Sequence, residues 1–306
     1  MSEDNARAAP AMATVAGVSA PPAELVTPSD GSCGCGGSGG DCSCKSGPPQ
    51  LVYVLGQVNV QAPSRAKRQA YLQQTTKNLD TPHEVLELLA TDPTVATDVI
   101  WTLEQDTVPL YAIVPCGPFA QLVYDRLKDF LAAELDNRIE RVSIPGTIGG
   151  SVTLANGMSV PVIAPHLRGM YMWSTQEIVK LFTAKLTKGD ASAVSEELGN
   201  FMERVYDEMR NPGLSSSDRA ANFAATNAFT AEEAIREAVT SGYRLADISV
   251  DPVKVPSPGT DRWDVKLTFF DPNKRLERAK TIYRFTVDVT DVQPYTVGKL
   301  RHWAEL

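Results

Sequence analysis

The chain has 306 residues, 43% of them apolar and 22% charged, which is enough to bury a substantial core. Its formal charge is −8, with −3 on residues 1–49 (Glu3, Asp4, Glu24, Asp30 and Asp41 against Arg7 and Lys45) and −5 on the rest. Both parts are acidic, which excludes a broad nucleic-acid footprint and a polybasic membrane contact. No window approaches the roughly 18–20 uninterrupted apolar residues of a membrane span, and MSEDNARAAP lacks the features of an export signal, so the expected compartment is the cytoplasm.

Residues 1–49 are dominated by Ala, Pro, Ser and Gly, a composition that cannot offset the ordering entropy of the backbone, and they read as a disordered tail. Four of the five cysteines, Cys33, Cys35, Cys42 and Cys44, fall within it in SCGCGGSGGDCSCKSG. In a reducing compartment such thiols are not expected as disulfides. Four thiolates match the ligand count of a tetrahedral zinc site, although zinc knuckles use C-x2-C rather than C-x-C. The same Gly/Ser/Cys composition suits a built-in substrate peptide for azole-forming enzymes, or a flexible spacer with no fixed partner. These three readings stay open.

The globular part, 50–306, begins with the apolar run LVYVLGQV from Leu51. Helical patterns follow over 64–77 and 82–91, the second entered through Thr81 as N-cap with Pro82 at its first position. Strands are expected around VIWTL and LYAIVP, then an amphipathic helix in PFAQLVYDRLKDFLAAEL, with Phe119, Leu122, Val123, Leu127, Phe130 and Leu131 on one face. Residues 139–173 read as short glycine-punctuated strands, with an Asn-Gly hairpin signal in ANGM. Three helices are expected over 174–186, 190–210 and 217–240, the middle one striped by Val194, Leu198, Phe201, Val205 and Met209. Three strands then close the chain: YRLADISVDPVKV, WDVKLTFFD and KTIYRFTVDVTDV. Strands at both ends with helices between do not alternate as βαβ units. The fold class is therefore α+β, with largely antiparallel sheet packed with five to six helices.

Catalytic motifs are sparse. The three histidines, His83, His166 and His302, stand in no recognisable pattern, and neither G-x-S-x-G nor a phosphate loop ending in Lys-Ser or Lys-Thr occurs. GTIGGSV leads into a β-run rather than a helix, so it reads as a turn or bulge.

Three stretches carry a family resemblance: IWTLEQDTVPLYAIVPCGPFA (100–120), RGMYMW (168–173) with DRAANFAATNAF (218–229), and WDVKLTFFDP (263–272) leading into YRFTVDVTDVQPYTVGKLRHW (283–303). They resemble, in order, the C-terminal domain of unknown function of PatG- and PatA-type cyanobactin maturation proteins. In that family the domain follows a subtilisin-like protease, but residues 1–49 contain no histidine and cannot hold that fold. The resemblance therefore implies a non-catalytic accessory module in the biosynthesis of ribosomally made, modified peptides, binding precursor peptide or maturation enzymes. It carries over no established catalytic residue. Arg168, Tyr171, Trp173, Arg219, Asn222 and Asn227 mix arginine, aromatic and amide groups and are candidates for a peptide-binding surface or the seam of a homodimer. For Arg168 and Arg219 the competing reading is a buried structural pair, with Asp218, Asp264, Asp288 or Asp291 as partner. The alternative functions are a metal-binding protein using Cys33, Cys35, Cys42 and Cys44, with zinc as the cofactor, and a Cys-rich substrate fused to its recognition domain.

Overall fold

In a computed structural model of the chain, residues 49–305 are described apart from 63, 75–78, 80, 175–179, 181–187, 205–210, 227, 256 and 274–277. The first half contains β1 (Leu51–Gln61), α1 (Arg65–Gln74), α2 (Pro82–Thr91), α3 (Val95–Asp98), β2 (Ile100–Gln105) and β3 (Val108–Ile113). It continues through α4 (Ala120–Leu135), β4 (Arg141–Thr153), β5 (Ser159–Pro165), a 3₁₀ turn (Leu167–Gly169) and β6 (Tyr171–Trp173). The strand order is β1-β2-β3-β5-β4, and β4 pairs again with β1, so five strands close into a ring with β6 attached to β4. Only the β3–β5 contact is parallel. A closed five-stranded ring with a helix between β3 and β4 is the connectivity of an OB-type barrel. Its interior holds Val52, Val54, Trp101, Leu103 and Ile144, under Leu88 and Leu89 of α2 and Leu127 and Phe130 of α4.

The second half is α5 (Lys188–Glu203), α6 (Ser216–Thr226), α7 (Ala228–Thr240), β7 (Arg244–Pro252), β8 (Arg262–Phe270), β9 (Lys280–Asp288) and β10 (Tyr295–Glu305). The four strands form an antiparallel meander. Alternation sends Val265, Leu267, Phe269 and Phe285 to one face, where they meet Val194, Leu198 and Phe201 of α5 and Ile235 of α7. α6 starts with a reciprocal cap: Asp218 N donates to Ser215 Oγ at 3.1 Å, and Ser215 N donates to the Asp218 carboxylate at 3.3 Å.

One strand belongs to both cores. On β1, Val52, Val54, Val58 and Val60 enter the barrel, while Tyr53 and Leu55 on the opposite face enter the helix-and-sheet core. Burial on both sides is why LVYVL is unbroken by polar residues. At Tyr53 the β1 edge facing away from β4 is completed by the second half: its N–H donates to Gly213 O at 3.0 Å, and its carbonyl accepts from Asn222 Nδ2 at 2.9 Å. Tyr53 lies opposite Pro145 in the β1–β4 ladder, and because its own N–H and C=O point away, the amide hydrogen that proline lacks is not needed there. Thr226 Oγ1 donates to Phe223 O, so the Tyr53 hydroxyl donates to Thr226 Oγ1 at 2.8 Å.

Along the same strand, β1 leaves β4 after Gly56 and takes up β2 from Gln57. Just past this switch the Val58 N–H donates to both carboxylate oxygens of Glu134, in the last turn of α4, at 3.0 and 2.9 Å. Burial of that carboxyl pushes its pKa up to about 8, opposed by the Val58 hydrogen bond and by Arg141.

The α+β class with largely antiparallel sheet holds, with particular differences. Seven helices occur among the described residues, because four-residue α3 interrupts the segment before β2 and the stretch expected as one helix over 217–240 is two. Phe119 and Leu122, expected on the core face of α4, are exposed at 63% and 51%. The barrel wall occupies only part of that face. The short strands expected over 139–153 are one 13-residue strand, β4, whose ladder with β5 shifts register between Ile148 and Ser151, where GTIGG makes a bulge. β10 goes beyond the expected strands, because YTVGKLRHWAE has no clean apolar alternation to announce it. The helix expected over 174–186 falls mainly outside the described residues, as do Val205 and Met209.

This joint can be tested at two positions. At Gly213 (φ +68°) an added Cβ would stand 2.2 Å from Tyr53 O, a backbone atom that cannot give way. Gly213→Ala should cost at least ~2 kcal/mol in denaturant unfolding. Glu134 keeps its proton in the folded state up to about pH 8, whereas in the unfolded chain it ionises near the ordinary glutamate value of 4.5. Between these values the folded state binds the extra proton, so this group's contribution to stability falls as pH rises and levels off above about 8. Glu134→Gln should remove that slope in unfolding measured from pH 4.5 to 9, and an unchanged slope would contradict this assignment.

Candidate functional site

A groove runs across the molecule where the barrel meets the helical half. It includes a cavity of about 680 Å³ between Gln57, Asn137, Glu140 and Arg141 of the barrel and Ser195, Gly199, Asn200 and Glu203 of α5. Through Asn137, Ile139 and Glu140 it continues into a cavity of about 410 Å³ bounded by Met172, Ser174 and Lys180. In the other direction Asn200 and Glu203 also border one of about 340 Å³, and Arg204, Leu245 and Phe270 link that to one of about 460 Å³ beside Lys280. The four are thus lobes of one elongated depression.

Local structure shapes both walls. α4 ends in a Schellman motif: Asn137 takes φ +55°, its N–H donates to Glu134 O, and the Arg138 N–H donates to Ala133 O, both at 2.9 Å. The reversal presents Asn137 to the groove and turns the chain back into β4, which brings Arg141. On the facing wall, Gly199 interrupts α5 although a Cβ there would meet nothing within 4 Å. A glycine inside a helix costs roughly 0.5–1 kcal/mol relative to alanine, so internal packing gives no reason for it, whereas the close approach of another chain would. The walls present carboxylates, guanidinium groups and side-chain amides in alternation. This lining suits the N–H and C=O groups of an extended peptide, and among the described residues it includes no cysteine or histidine.

The six residues singled out in the sequence do not form one surface. Tyr171 and Trp173 lie on β6, their rings edge-to-face at 6.0 Å, with Tyr171 exposed and Trp173 half-buried. β6 reaches the groove: Trp173 pairs with Arg141 in the ladder, and the flanking Met172 and Ser174 line the 410 Å³ lobe. Trp173 Nε1 is buried without an acceptor among the described residues. Arg168 is exposed on the 3₁₀ turn. Arg219 and Asn222 are inside the molecule, 7% and 3% exposed. Asn222 holds the Tyr53 carbonyl. Arg219 Nη2 donates to Val289 O at 2.9 Å, its Nη1 donates to Leu214 O at 3.2 Å, and its ion pair is with Asp261 at 3.5 Å rather than with Asp218, Asp264, Asp288 or Asp291. Desolvation lowers the Arg219 pKa, which is the cost of holding that charge in the joint. Asp264 and Asp288 instead pair with Arg284 and Arg262.

Asn227 and the set Cys33, Cys35, Cys42 and Cys44 lie outside the described residues, and the zinc expectation with them. Among the described residues no three His, Cys, Asp or Glu side chains are grouped to hold a metal ion, and no helix is long and apolar enough to cross a membrane. Cys116 is exposed. His83 and His166 are exposed, and His302 leans on the Tyr283 ring at 5.4 Å with Nδ1 3.9 Å from Glu237. The groove residues Asn137, Arg141, Ser195, Asn200 and Glu203 carry no sequence signal of their own. The interrupting Gly199 is the one feature that could have drawn attention to α5.

The PatG Domain family matches residues 51–167, and the PatG C-terminal family matches 188–303. The first match spans the barrel from β1 to its 3₁₀ turn, and the second spans the helices and the meander. A comparison with curated proteins finds no match. A solved structure described as "PatG Domain of Unknown Function" is 34% identical, with a TM-score of 0.76, over 84% of this chain and 99% of that one. With both matches in order on one chain, and a solved member covered almost end to end, this protein belongs to the PatG family of domains of unknown function.

Proposed function

We propose that this protein is a non-catalytic accessory module in the maturation of ribosomally made, cyanobactin-like peptides, and that it holds an extended stretch of precursor in the groove between its halves. The observation that carries the reading is the continuity of the groove, from Met172 and Lys180 past Arg141 and Asn200 to Arg244 and Lys280. An elongated trough lined by mixed charge and amides satisfies peptide backbone while placing few demands on side chains, as a module serving variable precursors would need. Membership of the PatG family supports the pathway, and the glycine at position 199 supports close approach of a backbone. The same groove would admit a segment of a maturation enzyme, which is the other partner class expected for such a module.

The test follows binding of a labelled cyanobactin-type precursor peptide to the full chain by fluorescence anisotropy. Asn200 is exposed on α5, so Asn200→Trp fills the groove without removing a packed group. Binding should weaken at least about tenfold while thermal unfolding stays unchanged, since surface substitutions away from packed features rarely alter stability. Precursor binding that is equally strong in this variant would move the site elsewhere. An absence of binding to precursor and maturation enzymes alike would sink the reading.

A further inference from the structure

The meander leaves one long edge open. β10 runs for 11 residues and pairs with β9 through Tyr295–Val297 and Arg301–Glu305, and among the described residues no strand lies on its other side. An uncovered edge offers a row of backbone N–H and C=O groups to another strand, and proteins blunt such edges with bulges and charges. β10 has both: its ladder shifts between Val297 and Arg301, across Gly298 (φ +77°), and Lys299, Arg301 and Glu305 are exposed. Beyond the shift, however, Arg301–Glu305 is a regular run of five ladder pairs with β9.

The order of charges on that run complements itself. If two copies are laid antiparallel about a two-fold axis through His302, Lys299 of each faces Glu305 of the other, Arg301 faces Trp303, and Leu300 faces Ala304. Residues directly opposite in an antiparallel pair share a face, which makes Arg301 and Trp303 a side-chain contact, while the exposed Lys299, in the shifted stretch just before the regular run, can reach Glu305 with its long side chain. Trp303 is 37% exposed and already has the Arg284 guanidinium 5.9 Å from its ring centroid on the outer face of the sheet. The partner copy's arginine would come to its free side, giving a second cation–π contact. Leu300 and His302 point to the helix side, where Leu300 packs on the core and His302 on Tyr283. We infer that the β10 edge is a homodimer interface, in which two meanders join into one eight-stranded sheet through residues 299–305. An unrelated peptide strand would gain the backbone bonds but not this symmetric match, which is why a second copy is the favoured occupant.

The experiment is analytical ultracentrifugation of the full chain with paired charge reversals at exposed positions. In a homodimer of the Lys299→Glu variant, both symmetric contacts set the introduced carboxylate against that of Glu305, and in Glu305→Lys both set the introduced ammonium group against Lys299. Either single variant should dissociate at least about tenfold more readily than wild type, because two like-charge pairs replace two attractive ones. An equimolar mixture of the two should recover the dimer as a heterodimer, because one variant is negative at both 299 and 305 and the other positive at both, so each of the two contacts sets a carboxylate of one chain against a lysine of the other. Unchanged thermal unfolding of the single variants would show that folding is intact. A wild-type chain that stays monomeric at tens of micromolar, single variants that associate like wild type, or a mixture that fails to associate would each overturn the inference. Asn200→Trp should dimerise normally, so failure of the groove reading and failure of this one are separable.

Discussion

Everything in the described molecule depends on β1 being buried on both faces and bonded on both edges. Its even-numbered valines fill the barrel and Tyr53 and Leu55 fill the second core, so neither core is complete without the other half of the chain. The polar side of the joint is as exacting. Tyr53 spends its N–H, C=O and hydroxyl on Gly213, Asn222 and Thr226, all in the second half. A buried backbone group left without a partner costs about 1–3 kcal/mol, so these bonds fix the relative placement of the halves as firmly as the apolar contacts do. The two halves that match separate families are therefore one structural unit, Pro48–Leu306.

The groove is a consequence of that joint. The barrel and the helix-on-sheet layer are joined along β1, with Tyr111 Oη donating to Pro212 O at 2.6 Å and Trp173 packing on the second core beside it, and their surfaces diverge beyond these contacts. On one side the divergence is bounded by the Schellman turn after α4 and by α5, which gives the 680 Å³ cavity. Its walls are held by features needed for stability elsewhere: the α4 cap, the β4–β6 ladder and the packing of Val194, Leu198 and Phe201 beneath α5. The site is thus preorganised by the fold, and the side chains that face it are free to be polar.

Much of the fold was legible because its signals are local. Thr81 with Pro82 announces α2, and the hydroxyl of Thr81 does accept the Glu84 N–H at 3.3 Å. The Val194, Leu198 and Phe201 spacing identifies the buried face of α5. The failures share a cause. Phe119 and Leu122 keep the period of a core face yet remain exposed, because how wide a face is covered depends on what packs against it. β10 lacks alternation because among the described residues one of its edges has no strand beside it and most of its side chains are exposed, so burial never selected the pattern. DRAANFAATNAF was recognisable as distinctive, but its mixture of arginine, amide and small residues is that of a polar joint between cores, which a sequence does not distinguish from a binding surface.

By itself the sequence determined the α+β class, most elements, the family and the acidic character of both parts, since periodicity, caps, composition and motif order are properties of neighbouring residues or of plain counting. Only the tertiary structure decided that β1 closes a barrel and also seeds a second core, that Arg219 and Asn222 are internal ties, and that Asn137, Arg141, Ser195 and Asn200 share a groove. Those facts rest on contacts between residues separated by tens to more than a hundred positions, such as Asn222 with Tyr53, 169 residues apart. Their energies come from desolvation and from pairing across the fold, and no local pattern encodes them.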